Sequence, residues 1–340
     1  MNNGNFIISL DFELLWGVRD KKTKEQYGKN IEGVHNVIPR LLETFKNYNV
    51  KATFSTVGFL FFENRKELLN NIPPNIPKYS NPILSPYNGH FDLVGDNFSL
   101  DLYHYAPTLI KLIQQYPEQE IGTHTFSHYY CLEEGQSIND FKTDIEFAIK
   151  VAKTYGIHLT SLVFPRNQFN DEYLKICKDL GIICYRGNEH SWLYREKKTE
   201  DESLFRRAFR LIDAYVNISG HNCYTEEYLK TKFPIDIPSS RFLRPYSQKL
   251  KILDGLRLYR IKAGMTYAAK NNQTFHLWWH PHNFGINQNE NFEFLEKILN
   301  HYKILNKIYE FQSYTMTELA KKIFKNDEIK RHNRFSDQKA

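Results

Sequence analysis

A chain of 340 residues with 41% apolar and 15% aromatic side chains can fill one large α/β core or two ordinary ones. The net charge is +6, but Lys321 to Ala340 alone holds seven Lys or Arg against three acids. The remaining body is therefore nearly neutral and lacks the basic face expected of a nucleic-acid binder. No run approaches 18 apolar residues, which excludes a membrane-spanning helix.

Phe6 to Leu10 reads as a strand running into Asp11 and Glu13, too short and too soon followed by acids to be a signal peptide. Side chains on a strand alternate in direction, so these two carboxylates share a face. Val37 to Tyr48 sets Ile38, Leu41, Leu42 and Phe45 at helical spacing, and Ala52 to Val57 reads as the next strand. Asp101 to Tyr116 is predicted helical, and Glu120-Ile121 is a short strand leading into His124. Ser137-Ile-Asn-Asp140 has the form of a capping box opening a helix to Tyr155. Strand Leu162 to Phe164, helix Asp171 to Leu180 and strand Ile182 to Cys184 follow. Asp254 to Asn271 is predicted helical, Thr274 to Trp279 a strand, Glu290 to Tyr302 a helix and Tyr309 to Phe311 a strand. Thr315-Met-Thr-Glu318 is a second capping box, opening a last short helix.

Such alternation implies parallel strands joined by helical crossovers, and six or more units suggest a barrel. Chemistry in that architecture gathers where strands end and helices begin. Asp11, His124, Arg166 and His280 each follow a predicted strand. Two stretches break the rhythm, about 64–99 and 186–248, and are expected to be ordered insertions at the barrel mouth. We expect one domain over residues 1–325 and a basic, flexible tail over 326–340. The tail is read first as a solvated end and second as a peripheral membrane or partner contact.

His124-x-x-x-His128 has the spacing at which two imidazoles grip one metal ion, although packing or surface placement is commoner for such a pair. Asp11 and Glu13 sit among Leu10, Phe12, Leu14, Leu15 and Trp16, and a buried carboxylate demands a partner. Arg166 offers a guanidinium fork for Asp11. In Phe275-His-Leu-Trp-Trp-His-Pro-His282, His280 at the strand end is expected to face the site. His276 reads as a satisfied core histidine, and His282 as a supporting or solvated one. His90, Asp92, His190 and His221 are expected to face solvent. Cys131, Cys177, Cys184 and Cys223 form no CxxC pair and suit a reducing compartment, so the expected location is the cytoplasm.

In this order, these pieces resemble the polysaccharide deacetylase (NodB homology) family, part of carbohydrate esterase family four. Its first motif, an Asp-Asp or Asp-x-Asp, is similar to Asp11-Phe-Glu13, and its Ala-Thr-Phe-Phe strand to Ala52-Thr-Phe-Ser55. Glu120-Ile-Gly-Thr-His124-Thr-Phe-Ser-His128 matches its histidine motif almost letter for letter. Arg166-Asn-Gln-Phe169 matches the third motif in part, and Leu277-Trp-Trp-His280 the fifth. The resemblance spans about residues 5 to 323 and implies an α/β fold, a distorted (β/α)₇ barrel.

It further implies a divalent ion, Zn²⁺ first, held by Glu13, His124 and His128. Asp11 would be the general base, oriented by Arg166, and His280 the general acid. The backbone N–H of Phe169 would help form an oxyanion hole. Glu13 replaces the second Asp of the family, Gln168 replaces a proline, and Trp192 is the one candidate for the tryptophan of the fourth motif. The implied activity is removal of an N-acetyl group from an amino sugar, in a cell-surface glycan or its nucleotide- or lipid-linked precursor. A deformylase or other N-acyl amidase, and a degenerate carbohydrate-binding protein, are the alternatives.

Overall fold

Asn5–Phe12 (β1) is buried along its whole length, as expected of a strand covered on both faces. It pairs in parallel with Thr53–Thr56 (β2) on one side, and a long strand near the C-terminus flanks it on the other. The structure, a computed structural model, describes residues 3–194 and 204–325, so the basic tail over 326–340 lies outside the described residues. From β2 the sheet continues in parallel through Glu120–Thr123 (β3), Ser161–Val163 (β4) and Cys184–Arg186 (β5). The later strands are Tyr224–Thr225 (β6), Ile235–Asp236 (β7), Arg241–Phe242 (β8), Gln273–Trp279 (β9) and Gln312–Tyr314 (β10). β9 is the long C-terminal partner of β1.

β7 and β8 belong to one extended segment that closes the ring. β7 pairs with β5, and the Ile237 and Ser239 amides donate to Tyr185 and Gly187. The chain then changes neighbours: Ser240 donates to His276, and β8 pairs with β9. Residues 235–242 thus form one stave between β5 and β9. With β1 to β5 and β9 they complete a distorted seven-stave (β/α) barrel, the fold implied by the sequence resemblance. β10 adds to β1, and β6 runs antiparallel to β9. The stretch 186–248 is therefore only partly an insertion, because its two ends belong to the barrel wall. Two-residue strands flanked by Pro and Ser give no readable alternation, which is why this stave was hidden.

Helices pack outside the staves. Lys24–Tyr48 starts well before the apolar spacing becomes visible at Val37, and buries Ile31, Val34, Ile38, Leu41, Leu42 and Phe45. Both capping boxes form: Ser137 and Asp140 bond reciprocally at the start of Ile138–Thr154, and Thr315 and Glu318 do so before the helix over 316–325. The helix expected from Asp101 is confined to Pro107–Gln114, because Asp101 instead accepts from Gly95, Tyr103 and His104. Residues 64–99 contribute Tyr87 and Phe91, which pack on Phe59 beside Trp16. The parallel register of the staves brings Asp11, Thr123, Arg186 and Trp279 to the same end of the barrel.

Candidate metal centre

Asp11 and Glu13 are each only 3% exposed, so both carboxylates must find compensating charge inside the protein. Asp11 finds a guanidinium fork: Arg186 donates from Nη1 to Oδ1 at 2.6 Å and from Nη2 to Oδ2 at 2.8 Å. Arg186 also donates to Ser9 Oγ and Asn167 Oδ1, and its guanidinium lies 4.1 Å from the centre of the Trp278 ring. Burial pushes the Asp11 carboxyl up, but Arg186, His124 and His280 outweigh it and hold the group below its ordinary value.

Glu13 turns one oxygen, Oε2, to two imidazoles, at 3.2 Å from His124 Nε2 and 3.0 Å from His128 Nε2. His124 Nδ1 faces the Val163 carbonyl at 2.8 Å, so its N–H donates there and leaves Nε2 facing the carboxylate. Two lone-pair carriers facing each other require a proton or a cation between them. Burial, partly opposed by Glu13, draws His128 down to about 4, which leaves it neutral and able to ligate at neutral pH. One carboxylate and two imidazoles suit zinc, and ligand atoms of a tetrahedral zinc stand about 3.3 Å apart. The residues present fit a divalent ion.

The histidines lie on a turn rather than a helix. Thr125 and His128 adopt left-handed backbone conformations, with φ of 65° and 59°. Buried Asp144, from the helix Ile138–Thr154, secures this turn by accepting from the Phe126 amide at 2.7 Å, the Ser127 amide at 3.1 Å and the Ser127 hydroxyl. Asp144 escaped the sequence reading; its one signal is an acid among Phe141, Ile145 and Ala148 on the buried helix face. Burial pushes its carboxyl up to about 7, against those hydrogen bonds.

His280 joins from the end of β9. Its Nε2 is 3.7 Å from Asp11 Oδ2 and 3.6 Å from Glu13 Oε1, and at 24% side-chain exposure it is the most open of these groups. Asp11, Glu13, His124, His128 and His280 are thus brought together from three strands. His276 is a satisfied core histidine, bonded to Ser9 Oγ and the Ile237 carbonyl. His282 is not solvated: it is buried, stacked on His280, with Nδ1 3.9 Å from Glu13 Oε1. His90 packs edge-on against His104 and tilted against Trp16 rather than facing open solvent.

Arg166 requires a correction. It does not hold Asp11; it donates to Asp20 and lies 3.5 Å from Glu133 Oε1, with its guanidinium over the Tyr130 ring. Arg166 and Asn167 are both left-handed, with φ of 54° and 53°, and this turn carries the Arg166 side chain away from β1. Arg186 takes the place, since β5 runs two residues beyond its predicted end. Gln168 donates to Glu133 and accepts from the Leu132 amide, tying the turn after β4 to the segment beyond the histidines. Phe169 packs on Phe164 and Tyr185 and borders a cleft with Asn188, His190 and Tyr228. Trp192 is half exposed and packs loosely on Phe209, whereas Trp278 is the tryptophan beneath Arg186. Burial raises the Cys131 thiol well above its ordinary value, which makes it inert.

The family described as polysaccharide deacetylase matches residues 28–185, a span that contains His124 and His128 but not Asp11, Glu13, Arg186 or His280. A structure from Mycobacterium smegmatis, assigned to the polysaccharide deacetylases, superposes with a TM-score of 0.60 at 12% identity. That match covers 96% of this chain and 92% of the other. A GH57-type branching enzyme from Pyrococcus horikoshii gives a TM-score of 0.53 at 12% identity, covering 93% of this chain and 69% of the other. A carbohydrate esterase family four pseudoenzyme from Bacillus anthracis gives 0.44 at 14% identity, over 94% and 66%. No curated protein matches the sequence. At 12% identity the first two likenesses are of fold alone.

Proposed function

Given that residues 28–185 belong to the polysaccharide deacetylase family, we propose that this chain hydrolyses the N-acetyl group of an amino sugar. The observation that carries the reading is Glu13 Oε2 within 3.2 Å of both imidazole nitrogens, beside a fork-held Asp11 and an accessible His280. Glu13, His124 and His128 would hold the divalent ion, zinc by donor set. When bound there, such an ion lowers the pKa of a water and polarises an amide carbonyl.

Asp11, kept ionised by Arg186, accepts the proton of the attacking water as general base. Arg186 keeps both Asp11 oxygens in one plane and denies the carboxylate any other rotamer. The backbone N–H of Phe169, after the turn Pro165–Asn167, is our candidate donor to the oxyanion. His280 delivers a proton to the departing amine, and its exposed edge marks where the sugar enters. The cleft beside Phe169, with Asn188 and Tyr228 as polar walls, suits a carbohydrate ring. The substrate we favour is an N-acetyl sugar of a surface glycan or its nucleotide- or lipid-linked precursor. Among the described residues no helix is long and apolar enough to cross a membrane. Four free cysteines, three of them buried, suit a reducing compartment such as the cytoplasm.

The test is acetate release from free, nucleotide-linked and lipid-linked N-acetyl sugars after chelation and metal add-back. Asp11→Asn and His280→Ala should fold and retain the metal held by Glu13, His124 and His128, yet lose about 10²–10⁴ in turnover. Undiminished acetate release by both variants rejects the assignment. Formate instead of acetate would reassign the acyl group while keeping the site.

A further inference from the structure

We propose that Glu13 serves two cations, one on each carboxylate oxygen, with His280 and His282 completing the second site. The inference rests on the reading of Glu13, His124 and His128 as the first site. Those imidazoles use only Oε2. Oε1 faces a different pair, 3.6 Å from His280 Nε2 and 3.9 Å from His282 Nδ1. The three ligand atoms lie within 4.8 Å of one another.

His282 is the decisive residue. Its side chain is 4% exposed, and its Nδ1 is buried without a hydrogen-bond partner, 3.9 Å from Glu13 Oε1. His276, also buried, has both ring nitrogens satisfied. His90 and His104 each keep an unpartnered Nε2 as well, so what sets His282 apart is that its orphan nitrogen lies 3.9 Å from a carboxylate oxygen. The turn Pro281–Phe284 sets the His282 ring beside His280, with centroids 4.8 Å apart and planes at 15°, and each ring has a nitrogen within 4 Å of Glu13 Oε1. Ligands of a tetrahedral zinc stand about 3.3 Å apart, so Oε1, at 3.6 and 3.9 Å from the two nitrogens, must draw them in to close on an ion. A carboxylate bridging through its two oxygens suits the roughly 3.5–4 Å separation of two-metal centres.

Charge sets the order of filling. Asp11 and Glu13 supply two negative charges and Arg186 removes one, so a first dication already overcompensates the site. The second therefore binds more weakly. Binding occupies the Nε2 lone pair of His280, the atom through which the proposed reaction delivers its proton, so the second cation inhibits.

The full chain, stripped by chelation, is titrated with Zn²⁺, with bound metal read by calorimetry and elemental analysis. Wild type should bind two equivalents, the second at least tenfold more weakly. His282→Phe, which keeps an aromatic ring in the stack, should bind one, and so should the double variant His124→Ala with His128→Ala. Thermal melts check that each variant folds, and a Co²⁺ titration of wild type reads the same stoichiometry without any substitution. Acetate release should peak at one equivalent and fall at least tenfold at two. Saturation of wild type at one equivalent, or two equivalents in His282→Phe, overturns the second site. Absence of bound metal, or full retention in the double variant, overturns the first site as well.

Discussion

At the scale of single residues, the site turns on which arginine faces Asp11. A bidentate guanidinium fixes a carboxylate in angle as well as position, which a lysine point charge does not. Arg186→Lys should therefore lower the turnover number about 10–100-fold with the Michaelis constant little changed, the usual scale for groups that orient a catalytic side chain. Arg166→Lys, whose partners include Asp20 and Glu133 rather than Asp11, keeps the charge and should alter turnover by less than about threefold. The reverse ranking would restore Arg166 to the role that the sequence resemblance implies. Arg166 carried the motif-like spacing, yet two left-handed residues swing it away. Nothing in a one-letter sequence displays that pair of φ angles at non-glycine positions.

At the scale of elements, the turn after β9 is held by close contact with the first long helix. A Cβ on Gly285 would come within 1.9 Å of the Asn30 carbonyl oxygen, and one on Gly33 within 2.1 Å of the Gly285 oxygen. Neither glycine has room for a side chain, and the contact sets where His280 and His282 point. Gly285→Ala should cost about 1–3 kcal/mol, as overpacking does, read as a lower urea midpoint at unchanged slope. Metal affinity should fall with it, whereas an unchanged midpoint would show that the turn has slack. Much of the element pattern was legible: β1, β2, β9 and both capping boxes announce themselves by burial runs and S/T-x-x-D/E spacing. β7 and β8 did not, since two-residue strands carry no period, and β5 was placed two residues early because Tyr185-Arg186 breaks the apolar run.

At the scale of the whole molecule, buried titratable groups tie stability to pH. Burial, followed by the nearby Arg186 charge, draws His276 down to about 3, against an ordinary value of 6.5. Between those values the unfolded chain binds a proton that the folded one refuses, so stability rises with pH through this window. Asp11 and Glu13, both held low, act with the same sign below the ordinary carboxylate range, because their protonation on unfolding favours the open chain. Asp144, pushed up to about 7, and Glu189, also raised by burial, oppose this over the same window, whereas His90 and His282, drawn down to about 3, and His128, to about 4, reinforce it. With four depressed imidazoles on one side, chelated protein should melt at a higher temperature at pH 6.5 than at pH 4, and His276→Gln should flatten that slope. A melting temperature that falls over this range would show that some other group dominates.

The sequence by itself determined the alternation of strands and helices, the burial of Asp11 and Glu13, and the two-histidine spacing, because these are local: they depend on period, propensity and neighbours along the chain. The tertiary structure alone decided that Arg186 rather than Arg166 meets Asp11, that residues 235–242 close the barrel, and that His282 leaves a bare nitrogen 3.9 Å from Glu13 Oε1. Each of those depends on backbone dihedrals and on strand register between distant segments. The energies that set them come from contacts made only once the ring is closed.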